Sequence, residues 1–135
     1  MKPILALASS LLTVTLCAQG QPEEKFAGTW EGGFNGSVFV VLKIHINGEI
    51  TGSMSNFNLE VDEKGNVSSA EAIDGESPIL KTRAQDDSLT FEWNTDPKEA
   101  PLKFELKATG AQAAQLRLLD TGDVKIKPFN MTKRT

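Results

Sequence analysis

Tyrosine is absent from the 135 residues, and cysteine and histidine occur once each, as Cys17 and His45. One cysteine cannot close a disulfide within the chain, which excludes a disulfide scaffold. The pair is also too few for a thiolate–imidazole zinc centre. Positive charge is in deficit, 14 Lys and Arg standing against 18 Asp and Glu for a net −4. A nonspecific nucleic-acid binder needs a basic face to displace counterions, so that class is excluded too. Beyond Leu16 no apolar run approaches the ~20 residues of a membrane-spanning helix. Glycine-rich phosphate loops, nucleophile elbows and zincin pairs are missing, and the length leaves room for one small domain.

What is present begins with Lys2 and an apolar run from Ile4 to Leu16, broken only by Ser9, Ser10, Thr13 and Thr15. At about thirteen residues the run is too short to span a bilayer and suits the core of an export signal. Ala18-Gln19-Gly20 places small residues where a signal peptidase reads them, predicting cleavage before Gln21. The expected organisation is therefore a signal peptide over 1–20 and a domain over 21–135. The product would be periplasmic or secreted, with a solvated start at 21–25. Cys17 has two readings, the acylated first residue of a lipoprotein or a thiol lost with the signal. Leu16, where a lipoprotein signal has a small residue, favours the second.

From Phe26 onward, apolar-rich runs alternate with turn residues every eight to twelve positions, as in an all-β sandwich or barrel. In Ser37–Ile46, Val38, Val40, Leu42, Ile44 and Ile46 fall on one face, with Lys43 and His45 on the other. That is strict period two in β-branched residues. Asn35-Gly36 and Asn47-Gly48 bound the run with type I′ hairpin signals, predicting antiparallel strands over Gly28–Phe34, Ser37–Ile46 and 50–58. Leu89, Phe91 and Trp93 share one face of a later strand, and Leu102, Phe104, Leu106 and Ala108 share one face of the next. Strands over 78–84, Ala113–Leu119 and 124–132 complete the series, and 67–73 reads as an edge strand or loop. The expectation is a single up-and-down antiparallel β-barrel of eight to nine strands, closed so that no long edge is left exposed.

Phe26-Ala27-Gly28-Thr29-Trp30 opens the first strand, and Arg134 lies just past the last. In these residues the chain resembles the lipocalin and fatty-acid-binding (calycin) group. That group opens its first strand with Gly-x-Trp and carries an Arg at the end of its last. The resemblance implies a barrel whose closed end is plugged by Trp30, with the Arg134 guanidinium packed over the indole to staple the strands together. The absence of tyrosine removes the group's Thr-Asp-Tyr motif, and no helix pair follows the first strand. The Trp-x-Gly at Trp30 and Gly32 is also similar to the start of small exported barrels of soil bacteria, which implies the fold and no activity.

Val38, Val40, Leu42, Ile44, Phe91, Trp93, Phe104 and Leu106 should point inward together. They would form either a packed core or the lining of a lumen for one small apolar ligand. Phe39 and Val41 should form an outward patch, with Phe57 and Phe129 as further exposed anchors for an envelope protein. His45 should face solvent, without the partners a general base or metal ligand needs. The acidic clusters Asp62-Glu63, Asp74-Gly75-Glu76, Asp86-Asp87 and Asp120–Asp123 coincide with turns. The Asp62 run lacks the glycine and terminal acid of an EF-hand. No catalytic residue, metal or cofactor is expected. The sequence points to an exported noncatalytic binding barrel or, alternatively, to a periplasmic interaction module built on a packed one.

Overall fold

The computed structural model describes residues 22–96 and 98–134. The export signal, its cleavage site and Cys17 lie outside the described residues. A short 3-10 turn (Pro22–Phe26) leads into eight strands: β1 (Gly28–Phe34), β2 (Ser37–Ile46), β3 (Ile50–Val61), β4 (Val67–Gln85), β5 (Ser88–Trp93), β6 (Leu102–Gly110), β7 (Ala113–Leu119) and β8 (Phe129–Lys133). Each strand pairs antiparallel with its neighbour in sequence, and β8 pairs with β1 to close the barrel. The fold is the expected up-and-down barrel. The stretch read as an edge strand or loop at 67–73 and the strand at 78–84 are one element, β4. The last strand starts later than expected, because 120–128 is an irregular connection.

Turn chemistry works as expected at one hairpin and differently at the next. Asn35 (φ 52°) and Gly36 (φ 82°) both take the positive φ of a type I′ turn between β1 and β2. Between β2 and β3, Ile46 pairs with Ile50, leaving a three-residue loop in which only Gly48 (φ 80°) is left-handed. The extra residue is accommodated because the Asn47 N–H donates to Glu49 O at 3.0 Å.

Period two drives the core inward, and inserted residues break the register at five places, Ser68 in β4 and Thr109 in β6 among them. The first lies in β2, where Gly32 pairs with Val40 and Gly33 with Val38, so that Phe39 is an inserted residue. A bulge of this kind reverses the facing of the residues beyond it. Phe39 is therefore buried, and Val38 is 48 % exposed. The structure thus overturns both the inward placement of Val38 and the outward Phe39/Val41 patch. In β4, residues 73–75 stand opposite Asn56 alone, and Lys81 (φ 51°) and Thr82 stand opposite Phe91 alone.

The closed end is built on Trp30. Its side chain is fully buried, and its indole N–H donates to Phe26 O at 2.9 Å, which holds the 3-10 turn beneath the barrel. Residues 22–26 form that 3-10 turn with Phe26 buried, while Glu24 and Lys25 stay exposed and the Lys25 ammonium pairs with Asp87 at 2.8 Å. The cation over the indole is Lys133, at 5.0 Å from the ring, and not Arg134. The reason is strand parity. Lys133 pairs with Trp30 across β1 and β8 and shares its face, whereas Arg134, one residue on, reaches the exposed face and pairs with Glu31. The Lys133 ammonium also donates to Lys25 O at 2.9 Å. Gly28 takes φ 127°, and a Cβ there would lie 3.3 Å from the Lys133 stem. Arg134 still ties the ends together through its main chain, since its N–H donates to Thr29 O at 2.7 Å.

The energetic ranking at this end follows from burial. Trp30→Ala should cost ~3–5 kcal/mol from the lost ring and the cavity left behind. Lys133→Ala should cost about 1–2 kcal/mol, a cation–π contact and one hydrogen bond. Arg134→Ala removes an exposed ion pair and should cost under about 1 kcal/mol. Urea unfolding midpoints of the three variants check the order.

Candidate functional site

The barrel interior is filled from the floor upward. Phe26 and Trp30 lie lowest; Leu42, Ile44, Met54, Leu89, Leu106, Leu116 and Met131 fill the middle, all essentially inaccessible to solvent. Above them Phe91 and Phe104 stack with centroids 5.5 Å apart. No polar or charged residue is buried among the described residues. Val40, Leu42, Ile44, Phe91 and Leu106 are thus packed core, and the lower barrel leaves no lumen for them to line.

Space opens at the other end. A cavity of about 210 Å³ lies there, bounded by Phe57 and Leu59 from β3, Trp93 from β5, Leu102 and Phe104 from β6, Leu118 from β7, and Ile126 and Phe129. Asn58 is its only polar lining residue and no lining side chain is charged. Of the eight inward positions read from the sequence, only Trp93 and Phe104 border this cavity. A larger surface depression, of about 410 Å³ around Arg83, Asp87 and Lys107, is lined by charged and polar side chains.

An aromatic cluster forms one wall. Phe57 stacks on Trp93 with centroids 5.5 Å apart and planes at 14°. Phe39 meets Phe57 at 5.5 Å and Phe129 at 5.4 Å. Phe57 and Phe129 are half-buried in the wall and Phe39 is buried against them, so none of the three is the exposed anchor expected. Offset-stacked and edge contacts of this kind fix ring orientation as well as burying area. The Trp93 indole N–H is already engaged, donating to Met54 O at 3.1 Å, and offers nothing to a guest.

The connection between β7 and β8 crosses the mouth as a strap over 120–128. Ile126 projects from it into the cavity wall. The Lys127 N–H donates to Gly65 O at 2.8 Å, which anchors the strap to the tip of the β3–β4 hairpin. Gly65 is required at that tip: its φ is 87°, and a Cβ would lie 2.8 Å from Lys125 O.

Asp62 organises the same tip. One of its carboxylate oxygens accepts N–H bonds from Lys64 at 2.9 Å and Asn66 at 3.0 Å. The Asn66 backbone bond is the main force holding this carboxyl below its usual 3.8; the Lys64 bond, the Asn66 side chain and the Lys127 charge add to it against a smaller desolvation. At the opposite end the Lys25 hydrogen bond and charge lower Asp87 in the same way. His45 is exposed beside Lys43 on the outer face of β2. No group of three or more His, Cys, Asp or Glu converges as a metal site among the described residues.

The residues that sequence reasoning missed are Phe57, Leu59, Leu118, Ile126 and Phe129 as lining. Phe57, Leu59 and Val61 do alternate at period two. They alternate out of phase with Met54, and the slip at Asn56 that brings both sets inward needs the β4 bulge opposite to be seen.

Two outcomes follow from this geometry. Gly65→Ala should detach the strap, seen as faster amide exchange at Lys127 and a red shift of Trp93 emission. Because the Asp62 pKa is depressed on folding, its contribution is complete above the ordinary carboxyl value of 3.8 and is lost as pH falls through the lower folded value. Protection of the Lys64 and Asn66 amides should therefore persist through mildly acidic pH and collapse only below 3.8.

No protein-family model matches this chain, and no curated protein or solved structure shows significant similarity to it.

Proposed function

We propose that this protein is a noncatalytic binding barrel that holds a small apolar molecule in the strapped mouth. The observation that carries the reading is the uncharged cavity of about 210 Å³ between Trp93, Phe104, Leu118 and Ile126. Pockets for drug-sized ligands run to roughly 300–1,000 Å³. The guest is therefore about one aromatic ring or a short alkyl chain, and retinoid- or haem-sized molecules are too large to be enclosed. With Trp93 already bonded and Asn58 the sole polar lining, affinity comes from desolvation and ring contacts. At ~25 cal/mol per Å² of apolar surface buried, such a guest supports micromolar to millimolar binding.

The lipocalin-like likeness fits this reading in its Gly28 and Trp30 start and its barrel closure. The apolar run from Ile4 to Leu16 supports export, so the ligand would be met in the periplasm or outside the cell.

A titration with indole, naphthol and octanoate, followed by Trp93 emission in a Trp30→Phe background, tests it. Quenching should saturate for at least one of them. Leu118→Trp, which fills the cavity, should weaken that binding about tenfold or more, a loss of ~1.4 kcal/mol. Absence of saturable quenching and of any thermal shift with all three would reject the reading.

A further inference from the structure

The barrel is closed, yet one of its hairpins outgrows it. β5 pairs with β4 only from Ile79 onward, and β2 pairs with β3 only up to Met54. Beyond those points residues 55–61 and 67–77 continue as a two-stranded ribbon whose outer sides have no strand partner. The two sides differ. Along β3, Phe39 packs against Phe57, and the Val41 N–H donates to the Ser55 hydroxyl at 2.8 Å, so the seam toward β2 is partly filled. Along β4, residues 67–72 are half-buried or exposed throughout. Among the described residues no hydrogen bond reaches them from any element but β3.

In an antiparallel pair every second residue turns its N–H and C=O away from its partner. Residues 67–72 thus present an unsatisfied ladder along about 20 Å of strand, interrupted at the inserted Ser68 and regular over 69–72. Proteins usually blunt such an edge with lysine, proline or a bulge. Here the run is Val67-Ser68-Ser69-Ala70-Glu71-Ala72, with neither lysine nor proline; Ser68 is an inserted residue near its start, and the bulge at 73–75 lies beyond it. The flanking charge is one-sided. Residues 56–77 carry Glu60, Asp62, Glu63, Glu71, Asp74 and Glu76 against Lys64 alone. Glu60 and Glu71 are exposed and sit one pair apart on the same ribbon face, since Asn58 pairs with Glu71 and Glu60 with Ser69.

We propose that the free β4 edge over residues 67–72 is a docking site for an extended, lysine- or arginine-bearing segment of a partner protein, which adds to the ribbon as a third strand. The backbone ladder selects an extended chain, because only another strand can satisfy its donors and acceptors in register. The carboxylates select basic side chains on that face, where an added strand would set one beside Glu71 and within the field of Glu60 on β3. The same charges disfavour a second copy of this chain, which would set one acidic ribbon beside another. The site is separate from the apolar cavity, since no residue of 67–72 lines it.

The test uses the full protein, isotope-labelled for amide NMR, and the peptide Lys-Val-Lys-Val-Lys-Val-Lys. Saturable shifts and slowed exchange are expected at amides within 67–72, weakening as salt is raised. The same peptide N-methylated at every peptide nitrogen, which removes the donors of both its edges, should not bind. Glu60→Lys with Glu71→Lys, both on the exposed face, should leave the fold intact and weaken the unmodified peptide about tenfold or more. Equal binding of the N-methylated peptide would show nonspecific charge attraction and overturn the proposal. So would an absence of shifts, or shifts at Trp93 and Ile126 in place of 67–72. Concentration-dependent broadening of the same amides without peptide would make the occupant a second copy, which also contradicts it.

Discussion

Everything in this barrel depends on the strict alternation of inward and outward side chains in a closed sheet. An eight-stranded barrel has an interior just wide enough for its own side chains. A chain that sends large apolar side chains inward fills that interior, leaving two indole N–H groups to satisfy, both bonded to backbone carbonyls. Closure satisfies the strand edges except along the ribbon in which β3 and β4 outgrow their other neighbours. The same alternation decides which cation covers Trp30: Lys133 lies in phase with it and Arg134 does not. Parity, rather than the identity of the last charged residue, sets the staple.

The mouth is where alternation is broken, and the breaks make the cavity. The bulge at Phe39 turns that ring inward to meet Phe57 and Phe129, and the slip at Asn56 turns Phe57 and Leu59 inward out of phase with Met54. The strap across 120–128 then closes the opening with Ile126 and is pinned by a single main-chain bond to Gly65. A packed lower barrel supplies rigidity, while an aromatic upper ring under an irregular strap supplies room and access. Loops carried on a rigid scaffold are where binding commonly resides.

Much of this was legible from residues alone. β1, β2 and β7 begin and end where Asn35-Gly36, period-two patterning and flanking turn residues place them. The inward faces of β5 and β6 follow from Leu89, Phe91 and Trp93 and from Phe104 and Leu106. What escaped was every feature that depends on an inserted residue. A bulge is specified by pairing between strands, so Val38 and Phe39 exchange places with no local sign in Ser37–Ile46. The long β4 was obscured for a related reason: its outer half packs against little, and Ser68, Ser69, Ala70 and Ala72 carry no amphipathic signal. The candidate site was correspondingly half visible. Trp93 and Phe104 could be read from period two, whereas Phe57, Phe129 and Ile126 required the third dimension.

The barrel is solid below and hollow at its strapped, aromatic end. Xenon enters dry apolar cavities and leaves filled cores empty, so diffraction from a crystal held under xenon pressure tests the claim directly. The account predicts xenon between Trp93, Phe104 and Leu118, and none beside Leu42, Met54 or Leu106. Xenon in the lower barrel, or none at the mouth, would contradict it.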